Sequence, residues 1–128
     1  TNLIEEQTLG RMTSVRVGPA YEEFRARHAD VLAHYQRKID KTVDLFSRIK
    51  STEQAEEVTT VLFAARKLKQ AQKDHEVTEE DLYRYILDWK KAWNEEGKRQ
   101  AIGAAIRNLE MLSWMKLHYS ESMTAEVE

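Results

Sequence analysis

The chain has no cysteine, which excludes a disulfide framework, a thiol nucleophile and a zinc site built on thiolates. It has a single proline, Pro19, and only four glycines, so little interrupts long helices. No apolar run approaches the roughly 18 residues of a membrane span. The start shows no basic stretch leading into an apolar one, so neither a secretory leader nor membrane association is expected. An excess of one charge is missing too. Twenty basic and 22 acidic residues give a net charge of −2, without the basic footprint typical of nucleic-acid binders. What remains is a chain of 128 residues, 33% charged and 41% hydrophobic, the composition of one helical globular domain. A cytoplasmic location fits the absence of cysteine. The opening Thr1-Asn2-Leu3 has no evident start, so a piece of a longer protein is expected.

Residues 1–10 are weakly patterned, with Leu3, Ile4 and Leu9 compatible with a helical turn ended by Gly10. Met12 to Val17 reads as a short strand closed by Gly18-Pro19. From Ala20 to about Ile49 a stripe that includes Tyr21, Phe24, Leu32, Tyr35, Ile39 and Phe46 predicts one long helix, with Ala29-Asp30 the weak point. Glu23 and Arg27 are placed to pair across one turn. Ser51 to Gln54 and Thr78 to Asp81 spell helix starts; the second has three acids in its first turn and a Val77–Leu82 staple. The helix after Ser51 fades near Lys69–His75, and the one after Thr78 presents Leu82, Ile86, Trp89 and Trp93. The last helix begins near Lys98, buries Ile102, Ala105, Ile106, Leu109 and Leu112, and is expected to run into a strand from Trp114 to Tyr119.

The expected architecture is therefore all-helical, with four main helices and a small ribbon pairing Met12–Val17 with Trp114–Tyr119. Its C-terminal half is compatible with a winged-helix module. The core expected in the first half is Phe24, Leu32, Tyr35 and Phe46. In the second half it is Val58, Leu62, Ile86, Trp89, Ile106, Leu109 and Trp114.

Active-site vocabulary is sparse. His75-Glu76-Val77-Thr78-Glu79 starts like a zinc-protease motif but ends in Glu, at a helix cap. His28 and His34 lie about 240° apart around a helix and cannot share an ion. His118 falls in the expected strand, and no sequence pattern assigns it to a catalytic set. The glycines make no phosphate-cradling loop. Gly103 with Ala104 and Ala105 forms a small-residue patch, suited first to packing within the chain and second to a homodimer contact. No cofactor, metal or catalytic residue is expected. The candidate contacts to a partner or to nucleic acid are Lys98, Arg99, Arg107 and Lys116, although Glu95, Glu96 and Glu110 share their neighbourhood.

Four pieces in order carry a family resemblance. They are Gly18-Pro19-Ala20-Tyr21-Glu22, the SRIKSTEQAEEVTTVLFAAR of residues 47–66, the ILDWKKAW of 86–93 and the AIRNLEMLSWMKL of 105–117. Together they resemble the C-terminal helical part of the Panacea (SocA-like) antitoxin domain, which also occurs behind the macrodomain of DNA ADP-ribosylglycohydrolase antitoxins. The chain departs from that pattern in having no helical stretch before Gly18-Pro19, and Ser113 where Gly is common before the final Trp. The resemblance implies a non-enzymatic domain for toxin neutralisation, phage defence or adaptor-like protein contacts.

The leading expectation is thus a non-catalytic interaction or regulatory module of a larger prokaryotic protein, with a protein partner. The alternatives are a winged-helix DNA binder reading duplex DNA with Lys98–Glu110, and a helical accessory domain of a restriction or other DNA-processing enzyme.

Overall fold

The structure is a computed structural model and describes residues 2–117. It is mostly helical, with one two-stranded antiparallel sheet among the described residues. The chain divides into two compact units, Thr1–Phe46 and Ser47–Glu128.

The first unit opens with a hairpin of β1 (Ile4–Leu9) and β2 (Met12–Val17), paired from Ile4 opposite Val17 to Leu9 opposite Met12. Two residues, Gly10 and Arg11, make the turn. Gly10 takes φ +65°, the conformation glycine supplies at the first central position of a tight hairpin turn. This corrects two expectations. Residues 4–9 are a strand and not a helical turn, and β2 pairs with them rather than with Trp114–Tyr119. A two-residue turn closes this pairing at small entropic cost, whereas the expected partner lay about a hundred residues away. At the open end Gly18 N–H donates to Leu3 O at 2.8 Å and Ala20 N–H to Asn2 O at 3.0 Å. A Cβ on Gly18 would collide with the Asn2 carbonyl oxygen, so only glycine fits there.

The expected long helix is two helices, α1 (Tyr21–Arg27) and α2 (Ala29–Arg48), giving five α-helices among the described residues in place of four. The break falls at His28, one residue before the weak point read in the sequence. His28 leaves helical backbone at φ −109°, ψ 24°, and its ring packs 4.3 Å from that of Phe24. The pairing of Glu23 with Arg27 is present at 2.6 Å. The stripe is there, but it is not covered. Phe24, Tyr35 and Phe46, expected in the core, are exposed and Leu32 is half-buried; Leu45 is the buried residue of α2.

The second unit holds α3 (Thr52–Ala71), α4 (Glu79–Trp89), a 3-10 turn (Lys91–Trp93) and α5 (Glu96–Met111). Both caps form. Ser51 Oγ accepts from Gln54 N–H at 3.1 Å, while Gln54 Oε1 reaches back to Lys50 N–H at 2.7 Å. Thr78 and Asp81 complete a reciprocal capping box, with each side chain accepting from the other's backbone N–H at 3.1 Å. Helix α3 packs against both α4 and α5. Val61 of α3, Leu82 and Ile86 of α4, and Ile102, Ile106 and Leu109 of α5 are the largest fully buried side chains among the described residues. Val58 is buried as expected, but Leu62 and Trp114 are half-buried. Trp89 stays 51% exposed, with its ring 5.4 Å from that of Phe63.

Helix α5 does not run into a strand. Trp114 N–H donates to Leu109 O and Ser113 N–H to Glu110 O, the paired bonds of a Schellman ending, with Ser113 left-handed at φ 61°. The chain turns back, and Leu117 N–H donates to Glu110 Oε1 at 3.1 Å. His118 and Tyr119, the rest of the expected strand, lie outside the described residues.

Candidate functional site

The four candidate contact residues do not form one patch. Lys98, near the start of α5, points its ammonium at α3, 2.6 Å from Glu53 and 3.5 Å from Glu57. It also lies 5.0 Å from the centre of the Trp93 ring. The hydrogen bond to Glu53 raises the Lys98 pKa above that of a free lysine, with burial opposing and Glu57 adding to the rise. Lys90 makes the same kind of contact a turn along α3, 2.6 Å from Glu56 and 4.4 Å from the Trp93 ring. That contact lowers the Glu56 pKa. The ammonium groups of Lys90 and Lys98, each paired with an acid of α3, thus both lie close to the Trp93 ring.

Arg99 contributes its backbone, accepting from the Tyr83 hydroxyl at 3.2 Å. Tyr83 crosses Gly103 closely enough that a Cβ there would meet its hydroxyl. The small-residue patch is therefore used inside the unit, where Gly103 and Ala105 are buried and Ala104 is exposed. Burial raises the Tyr83 pKa. Arg107 is exposed on the same helix and acts electrostatically on Glu79, the buried first residue of α4. Glu79 is only 3% exposed, and its Oε1 has no hydrogen-bond partner among the described residues. Burial raises its pKa; Arg107 opposes the rise and Glu110 adds to it.

Lys116 stands apart from these three. It lines a groove of about 690 Å³ between the C-terminal half of α3, the loop before α4 and the Trp114–Leu117 segment. That volume lies in the range of ligand pockets, about 300–1,000 Å³. Leu62, Ala65, Val77, Trp114 and Met115 supply apolar walls, and Arg66, Lys69, Lys73 and His75 join Lys116 as basic lining residues. Arg66, Lys69 and Lys73 are not among the expected contacts, because the sequence at the end of α3 has the composition of an ordinary polar fade. One signal is present, namely Arg66 and Lys69 spaced to share a helix face, with Lys73 just past the helix end.

The second surface belongs to the first unit. Along α2, Val31, Tyr35, Ile39, Val43 and Phe46 recur at three- and four-residue steps and are all exposed, Val43 at 62% and Phe46 at 59%. The opposite side carries charge, including Arg37, Lys41, Asp44 and Arg48. A helix amphipathic to this degree ordinarily buries its apolar stripe.

Among the described residues no three or more His, Cys, Asp or Glu gather as metal ligands, and no helix is long and apolar enough to cross a membrane. Comparison with protein-family models, with curated proteins and with solved structures gave no match to this chain.

Proposed function

We propose that this chain is a non-catalytic protein-interaction module, and that α2 is the element by which it docks on a protein partner. The observation that carries this reading is the exposed apolar stripe of Val31, Tyr35, Ile39, Val43 and Phe46. Leaving so many large apolar side chains in water forgoes about 25 cal/mol for each Å² that could be buried. Contiguous patches of that kind mark interaction surfaces. The steps along α2 match those by which an amphipathic helix meets an apolar groove or another helix. The resemblance to the Panacea antitoxin domain supports the same reading and sets it in toxin neutralisation or phage defence within a larger prokaryotic protein.

The test uses Val43→Glu and Phe46→Glu, which replace exposed side chains, with circular dichroism as the check that each variant keeps its helical content. A partner crosslinked to the chain in its native cells is purified and titrated against both forms. A loss of affinity of ten-fold or more in the variants is expected. Unchanged affinity overturns the role of α2. Binding to duplex DNA that weakens steeply with salt and is lost in Lys98→Ala, Arg99→Ala, Arg107→Ala would replace it with the winged-helix reading.

A further inference from the structure

We propose that the groove between the C-terminal half of α3 and Trp114–Leu117 is a second docking site, and that its occupant is an acidic peptide segment of a partner protein anchored by apolar side chains. The groove is built from residues of the second unit alone and shares none with the α2 stripe, so it stands or fails independently of the reading above.

Some cations of this unit are neutralised by neighbouring acids and others are not. Lys90 and Lys98 are each held by α3 carboxylates at 2.6 Å. Arg66, Lys69, Lys73 and Lys116 are in no ion pair among the described residues, yet all four line one groove. A single carboxylate, Glu76, lines it with them. In a chain whose net charge is −2, this is a local concentration of positive charge around one cavity. Such a field attracts acidic ligands and speeds their encounter.

The walls decide the class of ligand. Leu62, Val77 and Met115 supply aliphatic and thioether surface, and the Trp114 indole and the His75 imidazole are the aromatic rings among the lining residues. A single-stranded nucleic acid asks for a series of aromatic platforms, and a duplex asks for a long row of phosphate contacts. A pocket of about 690 Å³ with an apolar interior and basic lining suits instead one or two apolar side chains flanked by carboxylates. The groove is also braced. Glu110 holds Leu117 N–H at 3.1 Å, and the left-handed Ser113 sets the direction in which the chain leaves α5.

The experiment is a fluorescence-anisotropy titration of the full chain with a short labelled peptide of glutamates around a Leu-Phe pair. Micromolar binding is expected, lost when the Leu-Phe pair becomes Ser-Ser. It should weaken about ten-fold in Lys69→Glu, Lys73→Glu, both at exposed positions. The chain's own end also carries acids, Glu121, Glu126 and Glu128. A full-length variant with Gln at those three positions is therefore titrated in parallel. Binding seen only in that variant would overturn the proposal by assigning the groove to the chain itself. So would equal binding of the Ser-Ser peptide, indifference to Lys69→Glu, Lys73→Glu, or tighter binding of a short duplex or single-stranded DNA. Absence of peptide binding in every form would overturn it outright.

Discussion

The ammonium of Lys98 sits 2.6 Å from a carboxylate oxygen of Glu53, joining the start of α5 to the first turn of α3. Glu57, buried on the next turn, shares the same ammonium at 3.5 Å. Lys98→Ala leaves the Glu57 carboxylate buried without its cation, so a loss of about 1 kcal/mol in urea unfolding is expected, more than an exposed pair would give. The sign with pH follows from the raised pKa of Lys98. Its contribution is full at neutral pH, below the unfolded-state value, and is lost as pH rises through the folded-state value. The stability gap between the native chain and Lys98→Ala should therefore persist at pH 7 and close only in strong alkali. A gap that is absent at pH 7 would mean that the bridge is solvated out.

Glu79 shows the opposite balance. It sits in the first turn of α4, where the helix dipole favours its charge, yet burial raises its pKa and Oε1 has no partner among the described residues. For a carboxyl whose folded pKa is raised, the contribution to stability is greatest in acid and falls as pH rises through the folded value. At neutral pH the charge is a cost. Glu79→Gln should raise the thermal midpoint at pH 7 by about 2 °C, with the difference shrinking toward pH 4. A fall at pH 7 would show that the charge is held by Arg107 or by the dipole strongly enough to repay its burial.

What the sequence revealed and what it hid divide along physical lines. Capping is local chemistry, so Ser51 and Thr78 could be read directly as helix starts. The core of the second unit was also largely legible, since Val58, Ile86, Ile106 and Leu109 sit on faces that another helix covers. Periodicity names the residues sharing a face but not what covers them. Phe24, Tyr35 and Phe46 therefore looked like core and are exposed. The hairpin escapes a local reading because a glycine such as Gly10 suits the end of a helical turn as well as the first turn position between two strands. The groove was the hardest. It joins residues 62–77 to 114–117, and no local pattern links the two segments.

The turn at Gly10 gives a direct check of the hairpin. At φ +65°, any side chain there is strained even though the space around it is open. Gly10→Val should destabilise the hairpin by about 1–2 kcal/mol, seen as faster amide exchange along Ile4–Leu9 and Met12–Val17. Exchange in α3, α4 and α5 should not change, because those helices have their own core. Uniformly faster exchange across the chain would instead mean that the hairpin and the helical unit unfold as one.

Ser113 offers the converse experiment, a substitution that should stabilise. It occupies the left-handed position of the Schellman ending of α5, where glycine has no side chain to strain. The left-handed conformation costs an L-residue roughly 1 kcal/mol relative to glycine. Part of that gain is offset because glycine is freer in the unfolded chain. Ser113→Gly should thus raise unfolding stability by about 0.5 kcal/mol in urea titration, while Ser113→Val should lower it by more, since a β-branched side chain tolerates this backbone least. The pair also tests the exit of the chain toward the groove. If Ser113→Val redirects Trp114–Leu117, it should shift the chemical shifts of Leu62 and Val77, which line the groove with them, and unchanged shifts there would mean that the exit of the chain is held by other contacts.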